Sequence, residues 1–442
     1  MTFVQGIDLK RISQHDIEKL LELHRRFDSG QVGGKKIVLQ FRDAARLILK
    51  EAKLVDVEFI GSNLEYCDFE RSDLHSSNFF GANLKGVNMC QSNLQRADLR
   101  GACLESANLE GADLTRADIR EGYILALGED GNYSVIKQDQ TVLNNTNFTE
   151  AQLVGTKLTR SIGRGTLLTN ANCRNAVLRE CDLTGSDLRG VNFAGADLTG
   201  ANLSSCVLHG ATLSGAILDD AILEEADITA AQVRESELVK AKTEGIITSR
   251  HIDVLERSIQ DIINEHGAWI ESLGVKGVQA DFSRIDLHGI DLRGINLSAA
   301  SFNLATLSFA ECASMKLSMA SMKGLMANEA DFSDTDMRGA NLSGANFNNS
   351  NLSNANIGSI GLVAGSIRKW PSNLRGVKLE GADLRNTNLV EADLNGADLR
   401  NANLRDANLQ RAVLLDADLT GADLRGANLE NADTRGVIGM RL

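Results

Sequence analysis

Aspartates recur at five-residue intervals through much of this chain, so neighbouring carboxylates are unavoidable, and paired carboxylates are common acid–base machinery. A catalytic carboxylate also needs surroundings that shift its pKa. These aspartates sit among Asn, Ser and Arg and read as solvated side-chain ladders. The histidines His15, His24, His75, His209, His251, His266 and His288 are scattered, and none accompanies a Cys or Ser as an activated nucleophile. His24 and His266 fall at matching places on two apolar stripes and read as packing residues. The cysteines Cys67, Cys90, Cys103, Cys173, Cys181, Cys206 and Cys312 contain no CxxC pair and no metal-ligand spacing, so they read as reduced, small apolar residues. The glycines of 339–344 (GANLSG) follow the five-residue pattern and do not make a phosphate loop. No catalytic residue, cofactor or metal is expected, and the chain reads as non-enzymatic.

Two stretches carry side chains suited to binding another protein. The first, 125–142, places Asp130 and Gly131 between the apolar runs 123–127 and 133–137, which is the pattern of a protruding β-hairpin with Tyr133 beside its turn. The second, 358–373, holds Arg368, Lys369, Trp370 and Pro371, the single Pro and one of two Trp in the chain. Exposed Trp and Arg are favoured at interface hot spots. The candidate partner-binding residues are therefore Asp130, Tyr133, Arg368, Lys369 and Trp370. Trp370 has an alternative, folding back against the flank of the body that carries it.

That body is set by the repeat. From Ala97-Asp98-Leu99 to Ala112-Asp113-Leu114, each unit is a small residue, an Asp or Asn, a Leu or Phe, and two polar residues. The pattern runs from Leu54 to Ile124, Leu143 to Leu238, Phe282 to Ile357 and Leu374 to Leu429. Period five is neither helical nor continuously extended. It fits a short extended segment followed by a turn. In the extended part side chains alternate, so the Leu and the small residue two before it point inward and the Asp or Asn points out. The two polar residues turn the corner, where Gly tolerates unusual dihedrals. One unit buries nothing; stacked units bury ladders of Leu and Phe, about 1.5–3 kcal/mol per side chain.

This pattern resembles the pentapeptide repeat family over most of the chain. The resemblance implies a mainly-β fold, a right-handed quadrilateral β-helix with four repeats per coil, and a bore too narrow for many aromatics. The 4% aromatic content agrees.

Non-repeat segments divide the chain. Residues 1–36 read as a helical cap: Ile17, Leu20, Leu21, His24 and Phe27 form one stripe, and Ser13 with Asp16 makes a short capping box. Residues 37–243 form a first solenoid with the 125–142 insertion. Residues 244–279 form a helical linker or cap, with a helix expected from His251 to Leu273, started by Ser249 and ended by Gly274. Residues 280–442 form a second solenoid interrupted at 358–373. The order of helix, glycines and interrupted solenoid occurs twice, which reads as a tandem duplication. Residues 37–53 fit either a second helix or a degenerate first coil, with the five-residue frame through Leu39, Ala44 and Leu49 favouring the coil.

The net charge of −13 argues against direct nucleic-acid binding. No signal pattern or long apolar run is present, so a cytoplasmic protein without membrane contact is expected. The main functional reading is a protein–protein interaction scaffold for a partner of unspecified identity. The alternative comes from the resemblance: some family members present an acidic, DNA-shaped rod to DNA gyrase. Mimicry of that kind requires a continuous acidic stripe, and here Arg100, Arg116, Arg400 and Arg405 dilute it. Those relatives are generally shorter and dimerise through a C-terminal module. Here the sequence stops at Gly439–Leu442 directly after the last repeat, and a homodimer through a solenoid end stays open. A host-delivered effector is a third reading that no residue selects.

Overall fold

The computed structural model describes residues 9–127, 133–251, 257–361 and 369–440. The chain forms two compact units, Met1–Ile247 and Thr248–Leu442. Each winds as a β-helix in which a residue pairs in parallel with the one a coil further on, as Asp68 does with Asn88 and Asn88 with Asn108. Four such ladders start at Val38, Asp43, Ile48 and Lys53 in the first unit, and four at Asp281, Asp286, Asp291 and Asn296 in the second. Residues 38–53 are therefore the first coil. The ladders of the first unit run on to Ile247, beyond the expected end at 243, and the expected unbroken repeat up to Leu238 is interrupted by a single helical turn at Glu235–Leu238.

The repeat has a stereochemical cause at each position. Ala97 and Leu99 are buried, and Asp98 between them faces out. The second polar residue takes the left-handed conformation at nearly every corner: Arg96 at φ 58°, Gly101 at 67°, Ser106 at 57° and Gly111 at 62°. Gly reaches this region freely, whereas other L-residues pay about 1 kcal/mol or more. The outward Asp or Asn is more than a solvated side chain. Its Oδ1 accepts the N–H two residues on, as Asn88 does from Cys90 at 3.2 Å. Its amide, when Asn, donates to the acceptor in the previous coil, as Asn88 does to Asp68 at 3.0 Å. Asp and Asn combine that reach with a strong acceptor; Ser and Thr do the same more weakly.

Phenylalanines thicken the core. Phe59 and Phe79 stack with centroids 5.3 Å apart, as do Phe282 and Phe302 at 5.1 Å.

Each unit opens with a short strand and a helix. In the first, β1 (Lys10–Arg11) pairs in parallel with β2 (Arg42–Asp43), and α1 (Gln14–Asp28) buries Ile17 and His24. Both capping-box bonds form between Ser13 and Asp16. The first insertion contributes β3 (Gly122–Leu127) and β4 (Tyr133–Asp139), and α2 is the turn at Glu235–Leu238. In the second unit, β5 (Arg250–His251) pairs with β6 (Ile285–Asp286), and α3 (Ile259–Glu271) follows. The second helix thus starts eight residues later than the sequence pattern suggested. His251 lies in a strand bonded to the coil, and Ser258, accepting the Asp261 N–H at 3.1 Å, caps the helix in place of Ser249. The turn after each helix needs Gly: a Cβ at Gly34 would collide with the Phe27 backbone, and one at Gly277 with the Glu265 carbonyl.

Candidate partner-binding site

The first insertion is an antiparallel hairpin, β3 with β4, carrying an irregularity between Ile124 and Leu125. It starts at Gly122, ahead of the expected 125, so Ile124 pairs with Lys137 instead of closing a repeat, and the coil resumes at Val142. Coil-to-coil partners are normally 20 residues apart; across this hairpin Asn147 bonds to Asn108, 39 residues back. The hairpin leaves through a tight contact, since a Cβ at Gly122 would sit 2.8 Å from Gly101 N. It returns through the buried Thr141, whose Oγ1 accepts the Gly101 N–H at 2.9 Å and donates to the Arg120 carbonyl at 2.6 Å.

The second insertion uses the same device. Ser372 is fully buried; its Oγ accepts the Gly339 N–H at 2.9 Å and donates to the Gly358 carbonyl at 2.9 Å. Coil partners here are 32 residues apart, as for Asn388 and Asn356. The insertion closes with β7 (Ile360–Gly361) pairing antiparallel to β8 (Lys369–Trp370). Gly339 makes room for this: a Cβ there would lie 2.5 Å from Ile360 Cγ2 and 2.8 Å from Met319 Sδ.

Of the five candidate residues, Asp130 and Arg368 lie outside the described residues. Tyr133 begins β4 opposite Leu127. Lys369 and Trp370 are adjacent on β8, opposite Gly361 and Ile360. Trp370 is 55% exposed. Beside it, Glu391 gathers three donors: Ser359 Oγ at 2.6 Å, Lys369 Nζ at 3.2 Å and an Arg411 guanidinium nitrogen at 3.1 Å. The Ser359 hydrogen bond, with Lys369 behind it, holds the Glu391 carboxyl below its usual pKa. Sequence reading missed Glu391, Arg411 and Met319. The signal was the coil register, in which Ser359 and Glu391 are neighbours 32 residues apart, but it is legible only once the length of the insertion is subtracted.

The electrostatics of the coil faces run against acid–base chemistry. Many outward aspartates are clamped by the Arg two residues on, as Asp98 by Arg100 Nε at 2.9 Å and Asp383 by Arg385 Nε at 2.9 Å. The Arg385 guanidinium holds the Asp383 carboxyl below its ordinary value. Among the described residues, every carboxyl with a shifted pKa is shifted down, including Glu58, Asp291 and Asp433, whereas a general acid needs the opposite. Burial pushes the thiols of Cys67 and Cys206 up to about 12. No group of metal-ligating side chains occurs among the described residues. No helix among them is long and apolar enough to cross a membrane.

Comparison with known proteins places the repeat. The model of the family described as pentapeptide repeats matches residues 52–91, 92–122, 139–162, 166–204, 206–242, 280–311, 320–358 and 372–436, more than half of the chain. No curated protein matches. Among solved structures, HetL of Nostoc sp. strain PCC 7120, a pentapeptide repeat protein involved in heterocyst differentiation regulation, is 23% identical, covers 79% of this chain and 91% of its own, and gives a TM-score of 0.18. QnrB1, a plasmid-mediated fluoroquinolone resistance protein, is 16% identical over 54% of this chain and 98% of its own, with a TM-score of 0.26. A pentapeptide repeat protein of the Arabidopsis thaliana thylakoid lumen is 29% identical over 26% of this chain and 74% of its own, at 0.17. The repeat match and the coil pattern assign the fold. On that ground the chain belongs to the pentapeptide repeat family and folds as its right-handed β-helix solenoid.

Proposed function

We propose that the protein is a non-catalytic, cytoplasmic scaffold for protein–protein interaction, docking its partner at the second insertion. The observation that carries this is Trp370: a large aromatic side chain, over half exposed, on a two-stranded segment pinned to the coil by Ser372 and by the Lys369–Glu391 pair. Its cross-strand neighbour Ile360 and the part-exposed Met319 extend the apolar surface. An aromatic anchor on a rigid support, with charged groups at its rim, is the usual composition of a hot spot. The helices α1 and α3 read as caps that cover the first-coil edges.

DNA mimicry is the weaker reading. It needs unpaired acidic charge in a continuous stripe, and many aspartates of these faces are paired with Arg, as Asp98, Asp187 and Asp383 are. The test is affinity capture from source lysate with the intact protein and with Trp370→Ala. Loss of a specific protein with Trp370→Ala supports docking at the insertion. Capture of topoisomerase subunits equally well by both forms would replace it with mimicry.

A further inference from the structure

We propose that His24 and His266 make α1 and α3 proton-released latches on the first coil of each unit. The two histidines are buried at the same point of the two helix–coil interfaces, 1% and 0% exposed. In each, Nδ1 accepts the N–H of the residue that begins the coil: His24 from Ile37 at 3.4 Å and His266 from Ala280 at 3.0 Å. An accepting Nδ1 is unprotonated, so the ring proton sits on Nε2. In His266 that proton goes to the Ser298 carbonyl at 3.1 Å. In His24 it is turned towards Val55 without closing a hydrogen bond. Each ring also stacks on the next aromatic of its helix, Phe27 at 6.0 Å and Trp269 at 5.5 Å.

Protonation places a second N–H directly opposite the backbone N–H, and buries a cation. Burial lowers the pKa of both rings accordingly. The charged groups facing His24 are Asp28 on its own helix and Asp56 and Lys36 on the coil. Lys36 is taken up by Asp56 and Glu58, and Asp28 by Lys53. Asp28 and Asp56 oppose the effect of burial without cancelling it. Among the described residues no charged side chain acts on His266; the Ser298 carbonyl is its one opposing influence.

The sign follows. The folded pKa lies below that of the released helix, about 6.5. Helix docking is therefore strongest above pH ~6.5 and weakens as pH falls, by up to about tenfold per unit until the folded pKa is passed. The Arg-paired carboxylates of the coils stay ionised in that window. Release uncovers the edge of the first coil, an unpaired strand template.

The test uses the full chain carrying Trp370→Phe, which leaves Trp269 as its one tryptophan. Trp269 fluorescence and hydrogen exchange of residues 259–271, corrected for intrinsic rate, are followed from pH 7.5 to 5. The expected result is a change centred below pH ~6.5 with far-UV circular dichroism of the coils retained, abolished by His266→Asn, whose Oδ1 accepts the same N–H and does not titrate. A response that persists in His266→Asn, or no response down to pH 5, overturns the proposal. If His266→Asn fails to fold, NMR titration of the native ring decides, and a pKa at or above about 6.5 overturns it equally.

Discussion

Replacing Thr141 by Val keeps the shape of the residue and removes the hydroxyl that closes the base of the hairpin. The lost groups are definite: one bond accepted from Gly101 N–H and one donated to the Arg120 carbonyl, in a fully buried position. The Gly101 N–H is not orphaned outright, because it also reaches the Arg120 carbonyl at 3.1 Å. One net hydrogen bond and part of a second are therefore at stake, about 1–2 kcal/mol. In a solenoid that cost is local, since each coil touches only its neighbours. Hydrogen exchange at Gly101 and along 122–142 should accelerate roughly 5- to 30-fold, with 280–440 unchanged. Thr141→Ser should restore protection. Unchanged exchange in Thr141→Val would mean that the hydroxyl does not hold the hairpin, and the same reasoning at Ser372 would fall with it.

Phe79→Ala removes a fully buried ring stacked on Phe59 and should cost about 3–5 kcal/mol, read in native-state exchange as lost protection in the coils around residue 79 and none in the second unit. Only Cys90 and Cys103 are part-exposed, so a thiol reagent at pH 8 should label at most two cysteines of the native protein and seven after denaturation. Asp383, held low by Arg385, contributes stability above the unfolded carboxyl pKa of about 3.9 and loses it as pH falls further. Coil circular dichroism should accordingly stay flat from pH 8 to about 4.5, and Asp383→Asn should reduce the acid sensitivity of its own coil.

The coil was legible because its period is independent of context. Leu at each fifth position and a small residue two before it fix which side chains enter the bore, and Asp98 or Asn88 must then face out. The hydrogen bonds of those side chains were not legible, because their partners lie a coil away as well as two residues on. The helix at 259–271 was placed too early because Ile252 and Leu255 continue its apolar spacing, while β5 pairs His251 with the coil edge through the backbone, which leaves no mark in side-chain pattern. Repeat phase likewise ran through Leu238, where Glu237 accepts the Gly215 and Arg234 N–H groups at 2.8 Å and turns the chain instead. At the candidate site, the break in the repeat and the residue types singled out Arg368, Lys369 and Trp370. Met319 and Glu391 join them only through coil register.

The most direct measurement is the affinity of the captured partner for the intact protein and for Trp370→Ala, by calorimetry at two salt concentrations. Docking at the second insertion requires Kd to weaken about 30-fold or more, the loss of a hot-spot side chain worth about 2 kcal/mol, with little dependence on salt. An unchanged Kd for Trp370→Ala, together with binding that collapses at high salt, would contradict it and move the interface to the acidic coil faces.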